Sequence, residues 1–393
     1  MVYTNRLYRA LGPGQKYKDP YVRFSALVQY VSSGSQRQQK MATQTATMKS
    51  NPADSMISTW RDGDRSKWGP SHWLLDLLGT RLSPRNTEPP VFAKTDKVPF
   101  VREWTVHLWI LSHALIPLAL QQAYIMYTGR ALHPAAVFWL YTTTFYGTGI
   151  HQFQTIRRLG RVYGFFDGDK HERDDIPDVG VRSVAAELLS TPTLRLAMSV
   201  YLSYRPEELP LSFKWGWLAL EIGLYSITVD FWFYWYHRLM HSVTPLWKYH
   251  RTHHLTKHPH PLLGAYADHE QEFMDIMGIP LMSYATLKLI GMPMSFYEWY
   301  ICYQYVVFSE IIGHSGLRVH GGAPSTVNWL LEMFDAELVI EDHDLHHRYG
   351  WRKSHNYGKQ SRLWDRVFGT CRDRIECKKD NIDYENGVTF PLL

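Results

Sequence analysis

Eight histidines in the second half of the chain fall into three short runs. His237 and His241 lie in HRLMH, His250, His253 and His254 in HRTHH, and His343, His346 and His347 in HDLHH. Within each run the spacing of three or four residues stacks side chains on one face of a helix. A fold that uses all three runs must bring distant stretches of chain to one place. A protein-bound divalent ion takes about four to six ligands, with tetrahedral zinc at four. Eight converging imidazoles exceed the needs of one ion, so the count points to a two-metal site. His253 and His254 are neighbours and cannot aim the same way, which fits service to two different ions.

The other histidines read more plainly. His107, His113 and His151 sit within or at the end of apolar runs and lack a ligand-spaced partner. His171 belongs to the charge run DGDKHERDD, which reads as a solvated loop. His258 and His260 follow the second run as loop histidines, and His355 reads as exposed.

Two stretches, residues 104–129 and 131–156, contain no Asp, Glu, Lys or Arg. Each exceeds the roughly 20 apolar residues a bilayer span needs. Only Arg130 separates them, which gives a hairpin. Arg102 precedes the first, and Arg157, Arg158 and Arg161 follow the second, so the positive-inside rule places both outer ends in the cytosol. Residues 215–236, with Glu221 and Asp230, are a further apolar segment. Residues 273–291 and 294–313, with Glu298 and Glu310, read as a second hairpin. Acids inside such segments usually face a site or a cavity. Aromatic residues make up 15% of the chain, and Trp and Tyr favour membrane interfaces. The net charge of +5 is mild and no concentrated basic stripe appears, so nucleic acid is not an expected partner. Cys302, Cys371 and Cys377 form no C-x-x-C pair, which argues against a disulfide framework or a zinc knuckle.

The expected organisation has five parts. Residues 1–100 are a polar tail, in which 32–53 are rich in Ser, Gln and Thr and expected to be disordered. The acid-poor start of this tail is similar to a transit peptide, but it lacks an apolar cleavable signal, and we expect it to be dispensable. Residues 101–157 are a transmembrane hairpin, 158–214 a polar connector, 215–372 the histidine-bearing domain and 373–393 a C-terminal tail. Within the last domain, the apolar WLLEMFDAELVI at 329–340 is expected to be a helix along the substrate's approach.

The order HxxxH, HxxHH, HxxHH resembles the membrane fatty acid hydroxylase and sterol desaturase superfamily over roughly residues 215–372. GHSG at 313–316 is similar to that family's additional histidine, which makes His314 a ninth ligand candidate. NYG at 356–358 and LWDRVFGT at 363–370 resemble its closing motif. AYADHEQE at 265–272 resembles the HxxE element of methylsterol oxidase relatives and singles out His269 and Glu272. His320 and Asp342 are outer candidates for the site, and Glu341 and Asp342 are expected to orient imidazoles through their second nitrogen.

The resemblance implies an all-α architecture, an integral membrane helical bundle with a cytosolic helical cap carrying the histidine-rich di-metal site. It implies two iron ions per chain and dioxygen as co-substrate. Imidazole alone suits iron, zinc and copper equally. No G-x-G-x-x-G unit and no HPGG of a fused haem domain is present. Electrons are therefore expected from a separate cytochrome b5 and its reductase, or an analogous reductase, drawing on NADPH or NADH. The implied activity is hydroxylation or desaturation of a lipid C–H bond, in a multi-pass protein of the endoplasmic reticulum with its site on the cytosolic face. HxxE and GHSG tilt the substrate towards a sterol or related isoprenoid. Fatty acyl or sphingoid chains are the nearest alternative, and a metal-dependent lipid hydrolase or lyase on the same scaffold would need no reductant.

Overall fold

Helix boundaries follow local chemistry. The structure is a computed structural model that describes residues 51–78, 88–167, 173–212 and 215–392. The disorder expected for residues 32–53 falls almost wholly outside the described residues, as does His171. Residues 1–54 and 55–393 are separate compact units, and the first is described only by its short turn Pro52–Asp54. In the second, helix α1 (Pro70–Leu77) and strand β1 (Val98–Val101) precede the long helix α2 (Glu103–Thr128). Gly129 stops α2 in the left-handed region at φ 66°, where a side chain would be strained. His133 then caps helix α3 (Pro134–Tyr163): its Nδ1 accepts the Ala135 N–H, and Pro134 fits the first turn. The hairpin expected from the charge-free runs is therefore a pair of helices, α2 and α3. Of the described helices, only α2 is both long and apolar enough to cross a membrane.

The polar connector expected at 158–214 instead contains helix α4 (Val181–Ser203), which buries Val184, Leu196 and Val200. Its apolar face is interrupted by Pro192 and spread among Ser and Thr, so the helical period is faint in the sequence. Helix α5 (Trp215–Ser242) carries the first histidine run, and α6 (Thr244–His250), with Pro245 in its first turn, leads to the second. The segment at 273–291 is not one helix. A short helix α7 (His269–Phe273) passes through a π turn (Met274–Gly278) into α8 (Ile279–Leu289). Helix α9 (Phe296–Gly313) starts on a capping box in which the Glu298 carboxylate accepts the Ser295 N–H at 2.5 Å. Nearly every side chain of α9 is buried, and it packs on α2, α3, α4 and α5, so it is the central post of the core.

Helix α10 (Asn328–Met333) is the short helical piece of the 329–340 run, and it leaves Trp329 and Met333 exposed. Helix α11 (Ile340–Tyr349) carries the third histidine run, and α12 (Leu363–Phe368) follows. The chain is mainly helical but not purely so. Strand β2 (Ile382–Val388) pairs in parallel with β1, Val98 facing Ile382 and Pro99 facing Asp383. The residues expected to be a C-terminal tail are thus built into the fold. Glu341 of α11 accepts the N–H groups of Ile375, Glu376 and Cys377 at 2.9, 2.8 and 2.7 Å. Polar strands such as IDYENGV lack an apolar pattern, which is why the sequence hides this one.

Candidate metal centre

Nine buried imidazoles gather in two groups. His237, His241, His250, His254 and His346 form one, and His253, His314, His343 and His347 the other. In each group every residue offers a ligand atom within 4.8 Å of the others. The neighbours His253 and His254 fall in different groups, as do His346 and His347. Five elements supply these rings: the end of α5, the end of α6, the single turn His253–Leu255, the C-terminus of α9 and the length of α11.

Six of the rings are held by an oxygen acceptor at Nδ1. His237 donates to the Tyr357 carbonyl at 2.8 Å, His241 to that of Trp351 at 2.7 Å and His346 to that of His355 at 2.6 Å. His314 donates to the Glu310 carbonyl at 2.9 Å, and His347 to that of Thr256 at 3.1 Å. His250 donates to Gln271 Oε1 at 2.7 Å. A proton placed at Nδ1 leaves Nε2 as a bare lone pair. Those lone pairs point inward. His250 Nε2 lies 3.1 Å from His254 Nε2, and His346 Nε2 lies 3.0 Å from the same atom. In the second group His314 Nε2 is 2.9 Å from His343 Nε2 and 3.4 Å from His253 Nε2. Nitrogens about 2.1 Å from one metal, at octahedral or tetrahedral angles, stand about 3.0–3.4 Å apart. The Nε2 atoms of His237, His241 and His347 are buried and have no protein hydrogen-bond partner. An all-imidazole donor set with orphaned, converging nitrogens fits a pair of transition-metal ions.

Burial also sets the protonation state. It pushes the pKa of His250 down to about 4 and that of His314 to about 3. For His253, His254, His343, His346 and His347 burial comes first and the neighbouring imidazoles second, and all five are depressed well below the usual value. Metal binding requires the neutral ring, so burial keeps these side chains in the competent form.

The remaining sequence candidates stand outside both groups. His269 is exposed and bonds Glu187 at 2.7 Å. Glu272 is buried beside Asp275 and Glu187, and burial first, then those two acids, raises its pKa. His320 stacks on Phe100 and joins β1 through its backbone. Asp342 is engaged by Arg374 at 2.9 Å, and Glu341 by the backbone of 375–377. Neither carboxylate orients an imidazole; backbone carbonyls and Gln271 do that instead. His258 and His260 lie 3.5 and 3.7 Å from Asp167 and Asp175, away from both groups. His355 is half-buried, and its carbonyl serves His346. His113 and His151, read singly in the sequence, hydrogen-bond each other at 2.9 Å between α2 and α3.

A cavity of about 30 Å³, room for one or two waters, lies beside the centre. Tyr225, Phe233, Tyr303 and Val306 line it, with Lys359 and Glu310 among its polar groups. Lys359 is paired to Glu310 at 2.7 Å, and Phe233 packs against His237 with ring centroids 5.0 Å apart.

The family model described as fatty acid hydroxylase matches residues 222–370, which span both groups. The fatty acid hydroxylase vlmA of Lecanicillium sp is 41% identical over 310 residues, covering 75% of this chain and 84% of that protein. Alkylglycerol monooxygenase of Homo sapiens is 28% identical over 231 residues, 55% of this chain and 44% of that longer protein. Methylsterol monooxygenase 2-2 of Arabidopsis thaliana is 28% identical over 199 residues, 48% of this chain and 68% of that protein. No solved structure matches the chain significantly.

Proposed function

The chain belongs to the fatty acid hydroxylase family of oxidoreductases, and from that premise we propose that it hydroxylates a lipid C–H bond at a di-iron centre using dioxygen and electrons supplied from outside. One observation carries the reading: buried imidazoles converge from five elements, and six of the nine are held at Nδ1 by an oxygen acceptor that leaves Nε2 free to bind a metal. The Nε2 atoms of His237, His241 and His347, whose protons are drawn to the opposite nitrogen, are buried lone pairs with no protein donor, as the ligands of a cation are. His237, His241, His250, His254 and His346 would hold one iron, and His253, His314, His343 and His347 the other. Iron so held supplies dioxygen activation and attack on an unactivated C–H bond.

The chain's own residues do the rest. The acceptors at Nδ1 fix ring tautomer and direction. Phe233, Tyr225 and Val306 give the cavity beside His237 an apolar wall. At about 30 Å³, with Arg195, Asp275, Glu310 and Lys359 also in its lining, this cavity has room for water beside the centre and not for a hydrocarbon chain. The high identity to a protein named for fatty acids favours a fatty acyl chain over the sterol that the sequence motifs suggested. The sterol reading stays as the second, supported by the methylsterol monooxygenase likeness.

We also read the protein as membrane-embedded, with α2 as a span. Trp104, Leu108, Leu120 and Tyr124 of that helix are exposed to the surroundings, as lipid-facing side chains are. Further crossings, and a metal site on the cytosolic side of the endoplasmic reticulum, belong to the same proposal.

Lipid extracts from cells expressing the protein, grown under ¹⁸O₂, test the function. A lipid heavier by one labelled oxygen, absent without the protein, is expected. A product formed without oxygen or reductant would replace the oxygenase with a lyase or hydrolase.

A further inference from the structure

The surface above the first imidazole group is basic and aromatic. Directly after the third histidine run the chain reads RYGWRK, residues 348–353. Trp351 is 40% exposed at the tip of this loop. Cations frame it. Lys257 Nζ lies 4.9 Å from the indole centroid and the Arg251 guanidinium 5.8 Å, while Arg352 and Lys353 follow it in the chain, both exposed. Arg352 hydrogen-bonds Thr244, which ties the loop to the start of α6, and Lys248 is exposed in the last turn of that helix. On the other side Tyr349 is exposed beneath Arg372, 4.1 Å from its ring centroid. The acids that face these cations are Asp174, near Lys257, Asp268, near Arg251, and Glu270, near Lys248, three against the six cations Lys248, Arg251, Lys257, Arg352, Lys353 and Arg372. The patch is therefore positive on balance.

The same loop is wired to the centre. The carbonyls of Trp351, His355 and Tyr357 accept from His241, His346 and His237, three of the five rings in the first group. The Trp351 ring also lies 5.0 Å from Trp247, whose ring is 5.2 Å from that of His241. One hydrogen bond thus separates an exposed indole residue from a ring of the first group.

We propose that this cationic loop around Trp351 is the docking surface for an acidic one-electron carrier protein, which delivers electrons to the metal that the first imidazole group would hold. The inference rests on the oxygenase reading. Hydroxylation balances as R–H + O₂ + 2 e⁻ + 2 H⁺ → R–OH + H₂O, so a one-electron carrier must be oxidised twice per turnover, and the protons come from solvent. Complementary charge speeds such encounters and makes them salt-dependent. An anionic membrane would also suit a basic, aromatic loop. The hydrogen bonds from this loop to three rings favour the carrier, because lipid headgroups would gain nothing from them.

The test uses the full chain, metal-loaded, in neutral phosphatidylcholine nanodiscs, with the acidic soluble haem domain of cytochrome b5 as probe. The variant Lys248→Glu/Lys353→Glu reverses two exposed cations and leaves the Arg352–Thr244 tie in place. Binding of the haem domain and anaerobic oxidation of its reduced form are measured across ionic strength, with dithionite reduction of the metal centre as control. We expect at least tenfold weaker binding and at least tenfold slower haem oxidation in the variant, with the salt dependence lost and the dithionite rate unchanged. Equal binding and equal rates in the two proteins would overturn the proposal. So would charge-dependent binding to phosphatidylserine vesicles without binding of the haem domain, which would make the loop a membrane contact. If the metal accepts no electrons even from dithionite, the oxygenase reading fails, while the binding comparison still decides whether the loop docks an acidic protein.

Discussion

Asp342 lies in the third histidine run, yet the structure gives it to the fold rather than to either imidazole group. Its carboxylate is fully buried and takes hydrogen bonds from Arg374 Nε at 3.0 and 3.2 Å and from Arg374 Nη2 at 2.9 Å, with Arg362 Nε at 3.5 Å. Burial alone would raise its pKa, but the Arg374 and Arg362 guanidinium groups overcome that and hold it below the ordinary carboxylate value. Asp342→Asn would leave Arg374 with Glu337, at 2.6 Å, as its remaining carboxylate. Breaking a buried pair from one side costs about 3–5 kcal/mol, and the retained Glu337 contact puts this case near 3. For a unit of this size that lowers the apparent Tm by roughly 4 °C. Thermal unfolding in detergent, with metal content measured on the folded protein at low temperature, is the assay. The Tm is expected to drop with metal content unchanged. Because the folded pKa is depressed, the stabilisation is complete above the ordinary carboxylate pKa and fades as pH falls through the folded value. The gap between wild type and variant should therefore close in acid. An unchanged Tm with metal affinity weakened about 10–100-fold, the usual effect of losing a ligand-orienting group, would refute the reasoning.

Gln271→Leu removes the acceptor of His250 while leaving the ring in place. Metal affinity should fall about 10–100-fold in a competition titration with a chelator, alongside a Tm loss of a few degrees from the buried His250 and Asp275 groups left unpaired, and unchanged affinity would deny Gln271 its role. The metal-free protein should also be acid-sensitive. The folded pKa values of His250 and His314, about 4 and 3, lie below the unfolded value of 6.5. Between these limits the unfolded chain binds more protons, so stability falls with pH from about 6.5 towards 4. Thermal scans of metal-free and metal-loaded protein across that range check this, and a flat profile without metal would contradict the buried neutral rings.

Much of the centre was legible in the chain because helical spacing is visible in letters. The adjacency of His253 and His254, and of His346 and His347, already required two directions, and the rings do lie in two groups. The groups that hold the rings were not legible. Five of the six Nδ1 acceptors are backbone carbonyls, which any residue type can offer, so the eye goes to the nearby acids Glu341 and Asp342 instead. Those acids anchor the segment after residue 372 against α11, a long-range contact that no local pattern announces. The parallel pairing of β1 with β2 joins residues nearly 290 apart and was hidden for the same reason. The apolar end of helix α4, from about residue 194, can be read as a short crossing, but its first half was not legible because the buried face mixes Glu187, Arg195 and Ser199 with Leu and Val.

Metal stoichiometry on the purified chain tests the central claim most directly. Elemental analysis of the wild type should give about two irons per chain, and His253→Ala and His346→Ala, one from each imidazole group, should each retain about one. One ion or none in the wild type, or two irons that survive both substitutions, would contradict the paired centre on which the oxygenase reading depends.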